Sequence, residues 1–221
     1  MGKNTLVVSD LHLTPKFNKR KFNYLKKLFQ KADRIIVNGD LWCYYYCNFA
    51  DFLKSEWRKL FPVMLEKGCI YIHGNHDRKK WCNENTRLFS VATYDRYSFK
   101  QNGNTFNIQH GHLILNKPIR NETFIKYLKK YRVAKPYYAL QNIIINKLGY
   151  NIYNIIGVPY NKGHKKYHKK FIPNGEFLVC GHSHLPEGSL ERGYINTGFI
   201  DYGSSSYLLI NDKISLVKES Y

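Results

Sequence analysis

The chain has 221 residues, is 43% hydrophobic and carries a formal net charge of +19. That length suits one domain with a good core, and that apolar share excludes a disordered chain. No apolar run approaches the roughly 20 residues of a membrane span, and the opening "MGKNTLVVSD" lacks a signal-peptide layout, so a cytoplasmic protein is expected.

Five cysteines without a CxxC pair argue against a disulfide scaffold and fit a reducing compartment; Cys43 and Cys47 read as partly buried thiols rather than metal ligands. So large a positive charge favours anionic partners: phosphates, nucleic acid or an acidic membrane surface. It is unevenly spread. Residues 116–172 hold 13 of the 35 Lys and Arg and only one of the 16 Asp and Glu, Glu122.

In chain order, "TLVVS" (5–9) reads as a strand ending at Asp10, and "RIIVN" (34–38) as a strand ending at Gly39-Asp40. Between them "NKRKFNYLKKLFQKA" places Phe22, Leu25, Leu28 and Phe29 on one helical face. A second helix is expected over "NFADFLKSEWRKLFPVMLEKG", with Phe52, Trp57, Leu60 and Phe61 facing inward and Gly68 closing it. The strand "CIYIH" (69–73) ends at Gly74-Asn75-His76-Asp77. "YSFKQNGNTFNIQ" reads as a hairpin turning at Asn102-Gly103, its second strand ending at His110-Gly111-His112. "EFLVC" (176–180) ends at Gly181-His182-Ser183-His184, and "SYLLI" (206–210) is a sixth run. Strands alternating with helices imply a layered α/β sheet, parallel at first and mixed later, in a single domain spanning 1–221. The basic, aromatic, partly helical segment 116–172 reads as an insertion, with His164 and His168 on its surface.

The ligand-type residues stand at strand ends. Strand carboxyl ends form the crevice of a parallel α/β sheet, so Asp10, His12, Asp40, Asn75, His110, His182 and His184 are expected to converge. In extended chain, residues i and i+2 point the same way, which would align Asp10 with His12 and His182 with His184. The glycines at 39, 74, 111 and 181 permit sharp bends and close approach. Oxygen and imidazole donors without thiolate suit Mn²⁺, Fe or Zn²⁺. Seven donors exceed the needs of one tetrahedral ion and fit two ions about 3.5–4 Å apart if one carboxylate bridges. Each piece alone is weak, since Asp10 suits a cap and "GNHD" suits a turn. Five pieces in order, all at strand ends, are a far stronger signal.

"DLH", "GD", "GNHD", "HGH" and "GHSH", in that order, resemble the calcineurin-like metallophosphoesterases over residues 5 to 184. The resemblance implies a metallophosphoesterase-type mixed β-sheet sandwich flanked by helices. It implies that Asp10, His12 and His184 hold one ion, that Asp40 bridges, and that Asn75, His110 and His182 hold the second. His76 would face the substrate phosphate, Asp77 would orient it, and a hydroxide held between two divalent ions, Mn²⁺ foremost, would attack phosphorus. Within the family, "SDLHL", "GDL", the insertion and "YINTGFIDYGSSSYLLI" are similar to UDP-2,3-diacylglucosamine pyrophosphatases. The chain departs from many of those at His76, where they carry Arg, and in lacking acidic residues after "GD".

That likeness makes 116–172 a lid over acyl chains at an anionic membrane surface, with Arg78, Arg120, Lys126, Lys129 and Lys130 meeting phosphates. Ten aromatics between Phe124 and Phe171 interleave with lysines and equally suit base stacking, so a nuclease or nucleotide phosphodiesterase is the alternative. A non-enzymatic nucleic-acid-binding module is a third reading, which the complete ligand set argues against.

Overall fold

Three apolar runs open the chain's main sheet, and each is apolar throughout because both of its faces are covered. They are seen in a computed structural model that describes residues 3–114, 136, 143 and 151–221. Arg120, Lys126, Lys129, Lys130 and most of the inserted segment lie outside those residues.

Strands β1 (Thr5–Val8), β2 (Arg34–Asn38), β3 (Ile70–Ile72) and β4 (Ala92–Tyr94) run parallel in that order. The other edge of β1 pairs antiparallel with β11 (Ser204–Ile210), which also pairs with β10 (Ile200–Asp201) and β12 (Ile214–Ser220). A second sheet has the order β5 (Tyr97–Gln101), β6 (Asn104–Ile108), β7 (Phe177–Cys180), β9 (Tyr194–Asn196), β8 (Glu187–Ser189), with β6, β7 and β9 parallel. The two sheets face each other across one apolar layer. Val7, Ile36, Ile70 and Ile72 pack there against Phe106, Ile108, Phe177, Val179 and Ile195. The expected mixed sandwich is what forms.

The first expected helix is α1 (Lys19–Gln30), capped by the Asn18 side chain, which accepts from the Lys21 N–H at 3.0 Å. Leu25, Leu28 and Phe29 are buried, whereas Phe22 is only partly so. Lys21 is unexpectedly buried. Its ammonium donates to the Leu11 carbonyl at 2.5 Å and pairs with Asp201 at 3.0 Å, which anchors the loop after β1.

The second expected helix breaks into α2 (Phe49–Lys54), a 3₁₀ stretch (Glu56–Leu60) and α3 (Phe61–Glu66). Ser55 causes the break. Its hydroxyl donates to the Phe52 carbonyl at 2.6 Å and its backbone is extended, a local bond that competes with helix continuation. Pro62 then sits in the first turn of α3, where its missing N–H costs nothing. Phe52, Trp57, Leu60 and Phe61 reach the core nonetheless. The hairpin of β5 and β6 turns as expected. Asn102 and Gly103 both take left-handed φ, +50° and +75°, as a two-residue primed turn requires.

Helix α4 (Asn151–Phe171) closes the outer face of the second sheet, where Tyr167 packs on Leu178, Cys180 and Tyr194. It corrects the placement of His164, which is fully buried, while His168 is partly buried with Nε2 3.0 Å from the Glu176 carbonyl oxygen. Gly157, Asn161, His164 and His168 share one helical stripe, and that stripe faces the sheet. Lys162, Lys166, Lys169 and Lys170 are exposed on the opposite side, whereas Lys165 pairs with Glu187 of β8 at 2.6 Å. No helix among the described residues is long and apolar enough to cross a membrane.

Candidate metal centre

The loops after β1, β2, β3, β6 and β7 are stitched edge to edge by backbone bonds. The Asp10 N–H donates to the Gly39 carbonyl at 3.1 Å, the His12 N–H to that of Asp40 at 2.9 Å, and the Gly181 N–H to that of His110 at 3.0 Å. The backbone there is strained. Seven non-glycine residues among those described have left-handed φ, and five are Asp10 (+54°), His12 (+44°), Asp40 (+55°), His182 (+68°) and His184 (+56°). Such residues persist only where the surroundings enforce them, and they gather at functional sites. The expected extended geometry of Asp10 with His12, and of His182 with His184, is therefore corrected: tight left-handed turns aim these side chains.

Two ligand clusters result, joined by carboxylates. In the first, His184 Nε2 lies 3.1 Å from Asp10 Oδ1 and 3.1 Å from His12 Nε2, and His12 Nε2 lies 3.8 Å from Asp40 Oδ2. In the second, His110 Nε2 lies 3.3 Å from Asp40 Oδ2 and 3.1 Å from Asn75 Oδ1. His182 is the outermost of the seven: its ring centre stands 5.3 Å from that of His110, and its backbone N–H donates to Asp10 Oδ2 at 2.9 Å. His76 leans over the junction, Nε2 3.9 Å from Asp40 Oδ2 and its ring edge-on to His12.

These donors suit cations. Ligand atoms about 2.0–2.2 Å from one ion stand about 3.0–3.5 Å apart, the spacing seen in each cluster. Asp10 Oδ1, buried, makes no hydrogen bond. Asp10 and Asp40 stay ionised: burial would raise both pKa values, but His110 and His184 beside Asp10, and His110 and His76 beside Asp40, hold them well below the usual range.

Asp77 takes a place different from the expected one. Its Oδ1 accepts the N–H groups of Asp40 at 3.0 Å and Gly74 at 2.6 Å, and its Oδ2 accepts that of Leu41 at 2.6 Å. Asp77 therefore staples the β2 and β3 loops together. The group at His76 Nδ1 is instead Cys43, whose Sγ lies 3.2 Å away. Cys43 is fully buried rather than partly so, and its chemistry was hidden by reading it as a pair with Cys47. Arg78 is partly buried and close enough to depress the His112 pKa.

The parts of four more residues escaped sequence reasoning. His112 stands 5.5 Å from His110, ring to ring, with Nδ1 buried and unpartnered, and burial lowers its pKa to about 3. Tyr160 of α4 meets the His182 ring edge-on at 5.0 Å. His164 and Asn161 brace the ligand loops from behind. His164 Nε2 lies 3.2 Å from the Gly111 carbonyl, and Asn161 binds Asn196, which donates to the Gly181 carbonyl at 2.8 Å. The signal for these four was the inward stripe of α4 and the second histidine of "HGH".

The histidine charges carry a pH prediction. Burial lowers the pKa of His110, but Asp40 and Asp10 outweigh it and raise it to about 10, so the metal-free ring is protonated at neutral pH. A metal needs the lone pair, so binding must expel that proton. Mn²⁺ affinity is expected to rise about tenfold per pH unit below that value. Calorimetry in buffers of different ionisation enthalpy measures the proton release, and a heat independent of buffer would refute it.

The calcineurin-like phosphoesterase family model matches residues 3–186. No curated protein sequence matches the chain. Among solved structures, the phosphoesterase YfcE from E. coli is 15% identical, with a TM-score of 0.50 over 98% of each chain. A protein from Thermotoga maritima is 16% identical, with a TM-score of 0.50 over 99% of each chain. At such identity the likeness is one of fold, and it agrees with the sandwich described above. With the family model covering β1 to β7 and every ligand loop, the chain belongs to the calcineurin-like phosphoesterases, a family of metal-dependent hydrolases.

Proposed function

We propose that this protein hydrolyses a phosphodiester or pyrophosphate bond, on a UDP-sugar lipid at an anionic membrane surface, with two divalent ions held by the clusters above. The observation that carries this reading is the adjacency of two ligand groups that have Asp10 in common, with Asp40 Oδ2 within 4 Å of His12 in one and His110 in the other and His76 beside them. Asp10, His12, Asp40 and His184 would hold one ion, and Asp40, Asn75, His110 and His182 the other. Bound there, the ions supply Lewis-acid activation of water and neutralise phosphoryl charge.

The chain's own residues do the rest. Asp40 fixes the spacing of the clusters. His76 is neutral, because burial lowers its pKa to about 4, and it offers a hydrogen bond to a phosphoryl oxygen. Arg78 and His112 flank the side of the second cluster and suit the remaining anionic oxygens.

Helix α4 supports the lipid substrate and residues 116–172 as a lid. Ile155, Ile156 and Val158 are exposed near its start, and Lys162, Lys166, Lys169 and Lys170 follow on the solvent side. Apolar residues beside a lysine stripe suit acyl chains below anionic headgroups. A nuclease reading is favoured by a different feature. Tyr44 stacks on Trp81 at 4.0 Å, with Arg78 and Lys80 near the same indole, an aromatic and basic platform beside His76.

One panel separates the two. Mn²⁺-loaded protein is expected to cleave bis(p-nitrophenyl) phosphate and UDP-diacylglucosamine, and to float with phosphatidylglycerol vesicles but not with neutral ones. Degradation of single-stranded DNA without cleavage of the UDP-sugar lipid would overturn the lipid assignment. No hydrolysis of any phosphoester under Mn²⁺, Fe²⁺ or Zn²⁺ would overturn the enzymatic reading.

A further inference from the structure

The hydrogen-bonding partner of His76 is unusual. Cys43 Sγ lies 3.2 Å from His76 Nδ1, well within reach of a sulfur hydrogen bond. Cys43 is fixed by its own turn, its carbonyl accepting the N–H groups of Tyr46 at 3.0 Å and Cys47 at 3.3 Å. The His76 backbone is pinned at both ends: its N–H donates to Asp40 Oδ1 at 2.8 Å, and its carbonyl accepts from the Tyr44 N–H at 2.9 Å. The ring is held between Tyr45, 4.3 Å away, and the edge of His12, 4.6 Å away. Only the tautomer is left to be decided.

We propose that Cys43 is the positioning residue of His76: its S–H donates to Nδ1 and keeps the ring in the tautomer whose Nε2–H faces the phosphoryl group. The inference rests on the phosphoesterase reading above. Electrostatics decides between the two tautomers. With a proton on Nδ1, the ring would donate to sulfur and turn a bare Nε2 lone pair toward Asp40 Oδ2, 3.9 Å away, and toward an incoming anion. With the proton on Nε2, an N–H dipole faces both, and the Nδ1 lone pair accepts from the thiol. Burial pushes the Cys43 thiol pKa well up, so the proton to donate is present. A carboxylate at position 43 would do the opposite, since it can only accept from Nδ1–H. The thiol thus makes His76 a neutral donor rather than an imidazolium acid.

Two measurements test this. In the metal-free, substrate-free protein, long-range ¹⁵N–¹H correlation of the His76 ring is expected to show a proton on Nε2 and none on Nδ1. A proton on Nδ1 overturns the proposal whatever the activity. In the Mn²⁺-loaded enzyme, Cys43→Ala is expected to lower kcat about tenfold, the loss of one hydrogen bond, with KM and Mn²⁺ affinity unchanged. Cys43→Ser, which restores an O–H donor, is expected to recover most of kcat. A packing role predicts the reverse order, because serine buries a hydroxyl where alanine leaves only a small gap. Alanine matching or exceeding serine therefore also overturns the proposal. Absence of all turnover in a protein that shows the Nε2–H tautomer would instead overturn the phosphoesterase reading.

Discussion

Asp40→Asn is expected to abolish turnover while leaving the fold in place. Asp40 Oδ2 faces His110 at 3.3 Å, His12 at 3.8 Å and His76 at 3.9 Å, and Oδ1 accepts the His76 N–H. An amide keeps the size of the side chain but has one oxygen. If that oxygen keeps the bond to the His76 N–H, an NH₂ group must face the histidine cluster and any cation within it. Both the charge and the lone pair that Asp40 presents to the histidines are then gone. A deficit of several kcal/mol in charge stabilisation corresponds to on the order of a thousandfold or more in kcat. Circular dichroism should be unchanged, and elemental analysis should show the bound metal reduced. Full activity in the purified variant would remove Asp40 from the site.

Gly74→Ala is expected to be nearly as damaging, although the change adds one methyl group. A Cβ at position 74 would stand 2.6 Å from the Asp40 backbone nitrogen and 2.9 Å from its Cγ, with Oδ1 nearer still. Backbone cannot swing aside as a side-chain tip can, so the β2 and β3 loops must part. That separation also stretches the staple of Asp77, whose Oδ1 holds the Asp40 and Gly74 N–H groups together. Overpacking of this kind costs about 1–3 kcal/mol, or roughly 2–12 °C in Tm for a chain of this size. Metal affinity should fall more than stability does, because the two loops carry Asp40 and Asn75. Wild-type Tm together with wild-type Mn²⁺ affinity would show that the loops do not approach as described.

The strands and the site were legible for the same reason. Buried parallel strands read as short apolar runs, and each run stopped at the residues that now line the crevice. The small strands β4, β8, β9 and β10 were not legible, because two or three residues carry no period. The helix expected over residues 48–68 was misread at Ser55, where a single side-chain bond outweighed an otherwise continuous apolar face. In the site, residue types revealed the ligands but not their backbone: nothing in "DLH" or "GHSH" announces left-handed φ at both partners. Asp77 was misplaced for a related reason. Nearness in sequence pointed Asp77 at His76, whereas the turn after β2 brings Cys43 there from 33 residues upstream. His164 was hidden among lysines, and only its place on the inward stripe of α4 explains its burial.

That stripe ties together two parts of the chain with different freedoms to change. Gly157 lies so close to the Ser183 carbonyl and Leu185 that even a methyl there would collide, and His164 props the turn at Gly111. The inserted segment thus ends in a helix that is also a buttress for the ligand loops. Changes at Gly157, Asn161 or His164 therefore reach the ligand loops directly, whereas changes at the exposed lysines of the same helix do not.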